Sequence, residues 1–144
     1  MNSESNIPKE SSLVEITPET RELVNQNMAD APEELKRETM ALIDAIKKRA
    51  QAEIQSANNL THEAYLNAVT KAREAITQTR VKIEENQPLL EKDRIEYSIK
   101  LIQMEAKNNW ESVLKEVSTL GDRLADAAKA AWEVLTAPRH NSKP

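Results

Sequence analysis

The chain has 144 residues, one domain's worth, with a net charge of −4. It carries one Gly, no Cys and no Phe, and aromatics make up 3% of it. This excludes disulfides and thiolate metal sites, argues against β architectures whose turns need positive φ, and fits long helices.

In chain order, residues 1–16 are rich in Ser and Glu and read as a mobile acidic arm. Thr17-Pro18-Glu19 supplies a Thr cap, a Pro at the first helical position and an acid in the first turn, predicting a short helix over 18–29. Asp30-Ala31-Pro32-Glu33-Glu34 repeats that logic. No Pro or Gly then occurs until Pro88, and an apolar stripe runs through Leu35, Ile43, Ile46, Ala50, Ile54, Ala64, Ala68, Ala72, Ile76 and Ile83 at steps of three and four or sums of these. This predicts one helix over 32–86, roughly 80 Å long. Asn86-Gln87-Pro88 breaks it, because Pro cannot continue the ladder but can open a new helix.

The next stripe (Ile99, Ile102, Ala106, Trp110, Val113, Val117, Leu120, Leu124, Ala127, Ala131) predicts a second long helix over 88–136. A polar tail over 138–144 follows. The helical domain thus covers 17–137. Two long helices joined by a short break imply an all-α fold, a long antiparallel two-helix hairpin. Its Ala-rich seam is shallow and leaves apolar surface for a third layer: the short N-terminal helix, a second copy of the chain, or an apolar surface.

Gly121 sits inside the second stripe without shifting its phase. Gly121, Ala125, Ala128 and Trp132 recur at steps of four, three and four, so the favoured reading is a close helix–helix contact. A mild bend, or a restart capped by Asp122, is the alternative. Trp110, Leu120 and Leu124 are further candidates for that contact. Trp110 reads as core, and Trp132 equally as core or interface.

No chemistry is advertised. A single Gly rules out phosphate loops and dinucleotide fingerprints, and no Gly-x-Ser-x-Gly elbow or Glu-x-x-His pair occurs. His62-Glu63 reads as a solvated pair. No enzyme activity, metal or cofactor is expected. Charge is uneven: 8 acids and 2 bases over 1–35, 5 and 9 over 36–83, 11 and 9 over 84–144. The basic middle falls short of a nucleic-acid footprint and lacks stacking aromatics.

No apolar run approaches the ~20 residues of a membrane span, and the polar N-terminus is unlike a secretory signal. An intracellular, cytoplasmic protein is expected. Lys47, Lys48 and Arg49, with Trp132 near a helix end, suggest peripheral contact with an anionic or apolar surface.

The segments "AIKKRAQAEIQSANNLTHEAYLNAVTKAREAI", "NQP" and "LGDRLADAAKAAWEVL" resemble the phasins, small helical proteins that coat storage granules. They are also similar to small helical proteins associated with cyanobacterial thylakoid membranes. The similarity spans roughly residues 32–136, and the absence of Phe departs from the phasin pattern. It implies a non-catalytic role at a membrane or granule surface, at the thylakoid if the source is a cyanobacterium. The expected function is a self-associating structural protein that engages such a surface. The alternative is a soluble oligomeric scaffold with a protein partner.

Overall fold

Thr17 and Pro18 start the first helix as their chemistry dictates. In the computed structural model, which describes residues 16–83 and 88–136, helix α1 spans Pro18–Asn27. The Thr17 hydroxyl accepts from the Thr20 amide at 3.3 Å. Next come α2 (Glu33–Ser56), α3 (His62–Ile83), α4 (Pro88–Asn108), α5 (Trp110–Leu120), a 3₁₀ turn (Gly121–Arg123) and α6 (Leu124–Thr136). The described residues are all-helical apart from their connections, with no strand among them. The expected arm over 1–16, save Ile16, and the tail over 138–144 lie outside the described residues, as do Asn86 and Gln87.

Both long helices of the sequence reading are broken, and each break is made by an asparagine pair or a glycine. In Ala57–Thr61, Asn58 takes φ 55°, a left-handed conformation that Asn tolerates better than most residues. The Asn59 amide donates to the Ile54 carbonyl at 2.9 Å, closing the helix. Thr61 then caps α3 by accepting from the Ala64 amide at 3.1 Å. The connection folds α3 back onto α2, so the expected helix 32–86 is two packed helices. Asn108-Asn109 makes the second break: Asn109 has φ −149° and ψ 52°, and its amide donates to Glu105 at 2.7 Å.

Gly121 makes the third. It sits at φ 53° and ψ −127°, a backbone region that essentially requires Gly. Nothing lies within 4 Å of where its Cβ would stand. The close-contact reading is therefore corrected. This glycine turns the chain between α5 and α6, and its carbonyl accepts from Gln55 Nε2 on α2 at 3.0 Å.

α2 occupies the middle. It packs against α1, α3, α4, α5 and α6, and residues 42–48 are all buried. A helix covered on every side is expected to be apolar all round. α2 is not, and that mismatch builds the site described next. The apolar part of the core comes from Leu42, Ile43, Ile46 and Ile54 of α2, Tyr65, Val69 and Ile76 of α3, and Ile95, Ile99 and Ile102 of α4. Instead of two exposed-backed rods forming a hairpin, the chain wraps shorter rods around one central helix.

Candidate functional site

The helical phase that buries Ile43 and Ala50 also buries Lys47, which lies four residues after one and three before the other. Glu105 follows Ile102 by three on α4, and Glu116 follows Val113 by three on α5. Each is a charged residue placed in an apolar stripe, and packing the stripes together brings the charges together. Lys47 Nζ stands 2.9 Å from Glu105 Oε1 and 3.2 Å from Glu116 Oε2. Its side chain is 1% exposed.

Around this triad the remaining polar atoms of the core are arranged. Lys47 Nζ donates to Thr20 Oγ1 of α1 at 3.3 Å, and Gln51 Nε2 donates to Glu116 Oε1 at 2.8 Å. One turn before Lys47, Asp44 Oδ1 accepts from the hydroxyls of Thr20 and Thr17 at 3.1 and 3.2 Å. Lys48 Nζ lies 2.8 Å from Asp44 Oδ2. Asp44 thus ties α1 to α2. Glu105 Oε1 and Asp44 Oδ2 meet their lysines at ion-pair distance but without the angle of a hydrogen bond. Gln51 Oε1, Tyr65 Oη and His62 Nε2 are buried with no hydrogen-bond partner among the described residues.

Two carboxylates share one ammonium, so the triad carries surplus negative charge, and the proton affinities follow. Burial alone would lower the Lys47 pKa, but Glu116 and then Glu105 outweigh it and hold the ammonium above its ordinary value. Burial also raises Glu116, against the opposing pull of Lys47 and Gln51. Tyr65 is pushed well above the usual phenol range by burial first, then by Glu105, Glu116 and Asp44. All three groups bind protons more tightly inside the bundle than outside it. Structurally the cluster ties α1, α2, α4 and α5 together. No group of three His, Cys, Asp or Glu side chains among the described residues is placed to hold a metal ion.

The structure distributes the sequence-predicted residues unevenly. Lys47 and Lys48 are buried at 1% and 3% exposure, which corrects their assignment as surface contacts. Arg49 alone of the three is exposed, and its guanidinium lies 4.1 Å from the ring centroid of Trp132 on α6. Trp132 and Trp110 are half-buried and packed against the core. Trp110 meets His62 edge-on at 5.2 Å and Tyr65 at 5.4 Å, so His62 is part of an aromatic contact rather than a solvated pair. Leu124 and Ala128 are buried, Leu120 and Gly121 half-buried, and Ala125 exposed.

Asp44, Gln51, Tyr65, Glu105 and Glu116 were not singled out by the sequence. For Glu116 the signal was phase, since it lies three after Val113 and four before Leu120; Gln51, Tyr65 and Glu105 have a stripe member at that spacing on one side only, and Asp44 on neither. Comparison with known proteins adds nothing to this assignment, since no family model, curated protein or solved structure matches the chain.

Proposed function

We propose that this protein is a non-catalytic structural protein that self-associates and peripherally engages a membrane or other apolar surface. It does so by opening its bundle and exchanging helix–helix contacts for helix–surface contacts. The observation that carries this reading is the charged cluster in the middle of the core. Replacing such a cluster by apolar residues of similar volume typically leaves a protein as stable or more so, so its presence makes the closed packing easier to leave. On an interface, the same Lys side chains could lay their stems along apolar surface with their charges in water. The closed bundle exposes few large apolar side chains (Leu60, Tyr97, Met104 and Val134 among the described residues), so surface binding in this reading requires opening. No helix among the described residues is long and apolar enough to cross a membrane.

The absence of cysteine makes a clean test. Glu53→Cys with Lys71→Cys, and Glu38→Cys with Arg94→Cys, replace ion pairs that link α2 to α3 and to α4. Bridging either pair with a short bis-maleimide locks the bundle. The unbridged protein is expected to float with anionic vesicles and shift its Trp emission to the blue, and the bridged one to stay behind. Flotation unaffected by the bridge would rule out opening.

The second reading is a soluble oligomeric scaffold for a protein partner, favoured by how completely the closed bundle covers its own apolar faces. It predicts a fixed oligomer by light scattering that lipid does not alter.

A further inference from the structure

Between α1 and the α5–turn–α6 segment lies an open cleft of about 800 Å³, within the range of small-ligand sites. Ile16, Pro18, Leu120 and Ala127 contribute apolar surface. Four cations line it (Arg21, Lys48, Lys115 and Arg123) against three carboxylates (Glu19, Glu22 and Glu116). Arg21, Lys115 and Arg123 make no ion pair among the described residues. Glu116, by contrast, is engaged inward by Lys47 and Gln51. Lys48, paired with Asp44, brings a buried ammonium to the cleft wall.

These features select a ligand class. Unpaired cations beside apolar surface fit an anion with an apolar body. No aromatic side chain lines the cleft, so nothing there stacks a nucleobase or other ring. Set against Arg21, Lys115 and Arg123, the carboxylates of Glu19 and Glu22 disfavour a multiply charged group such as phosphate and leave room for one negative charge. We propose that this cleft binds a single-chain amphipathic carboxylate, a free fatty acid. Its chain lies against the aliphatic residues, and its carboxylate is paired by the cations contributed by α1, α5 and the 3₁₀ turn. The site exists in the closed bundle and is independent of the opening proposed above.

The test is calorimetric titration of the full chain with decanoate, kept below its micelle concentration. Decanol and decyltrimethylammonium serve as neutral and cationic partners of the same length. Saturable binding of one decanoate per chain is expected, with the other two at least about tenfold weaker. Lys115 and Arg123 are exposed, so the double variant Lys115→Gln/Arg123→Gln keeps the fold, checked by circular dichroism. It is expected to weaken decanoate about tenfold and leave decanol unchanged. Lys129→Gln, exposed and outside the cleft, should change nothing. Equal affinity for decanol and decanoate, or indifference to the double variant, overturns the proposal. So does the absence of saturable binding below the micelle concentration, which is how a surface-seeking protein without this site behaves.

Discussion

Replacing Lys47 by Met keeps the length of the side chain and removes its charge, leaving Glu105 and Glu116 facing each other in the core. The ammonium stands 2.9 and 3.2 Å from the two carboxylates. At an effective dielectric of about 20, each contact is worth roughly 5 kcal/mol before costs, and removing each ion from water costs several kcal/mol. The intact cluster therefore contributes little net stability. Losing its only shared cation is different, because the desolvation of two carboxylates remains while their compensation is gone. Lys47→Met should cost about 3–5 kcal/mol. That is a large share of the ~5–15 kcal/mol typical of a domain, and lowers the melting temperature by about 10 °C. Urea unfolding followed by circular dichroism at pH 7 measures it. The triple variant Lys47→Met/Glu105→Gln/Glu116→Gln removes the charges together, while the amide oxygen introduced at position 116 can still accept from Gln51. It should recover most of the loss. A Lys47→Met cost under about 1 kcal/mol, or a triple variant no more stable than the single one, refutes the reasoning.

Four further outcomes are expected. Because Glu116, Lys47 and Tyr65 all have raised proton affinity in the fold, the stability they confer is fully present below their unfolded pKa values. It is lost as pH rises through the folded ones. Urea midpoints should fall upward from about 4.5 through the Glu116 step and again above about 10, and Glu116→Gln should remove the first fall only. Asn58→Ala should cost about 1 kcal/mol, with Asn58→Gly close to neutral, because the position is left-handed. Gly121→Ala should cost about 1–3 kcal/mol by backbone strain alone, since no neighbour crowds the new methyl; a neutral result in a thermal melt would mean the turn is not held. Arg49→Ala should lose about 0.5–1 kcal/mol and change Trp132 emission through the cation–π contact.

What the sequence made legible is the helical phase. The cap at Thr17, the helix opening at Pro88 and most of the second stripe follow from local chemistry and spacing, and Ile99, Ile102, Ala106, Val113, Val117, Leu124, Ala127 and Ala131 are all buried. Periodicity hid the breaks, because a stripe that stays in phase looks continuous whether or not the chain reverses between its halves. Asn58-Asn59 followed by Thr61, and Asn108-Asn109, were the local signals. Asn favours left-handed and capping geometry, and it recurs in pairs where the rods end. The site was hidden for a related reason. Lys47-Lys48-Arg49 reads as a basic patch only if α2 has an exposed back. Once five other helices pack around it, two of those three charges are almost wholly buried, and only long-range packing reveals that.

The central position of α2 also orders how the molecule comes apart. Residues 42–48 are buried under helices from both ends of the described chain, so their amide hydrogens are expected to exchange only when the whole bundle opens. α1 is held through Val24 and Leu23, through Thr17 and Thr20, whose hydroxyls both bond a single carboxylate, Asp44, and through the Tyr97 hydroxyl, which donates to the Asn27 carbonyl. It can detach at a fraction of that cost. Detachment withdraws the Thr20 hydroxyl from Lys47 and takes away one wall of the cleft in the same event. A ligand seated in that cleft would therefore slow exchange in α1 while leaving α2 amides unchanged, and the two helices would report on binding and on global stability separately.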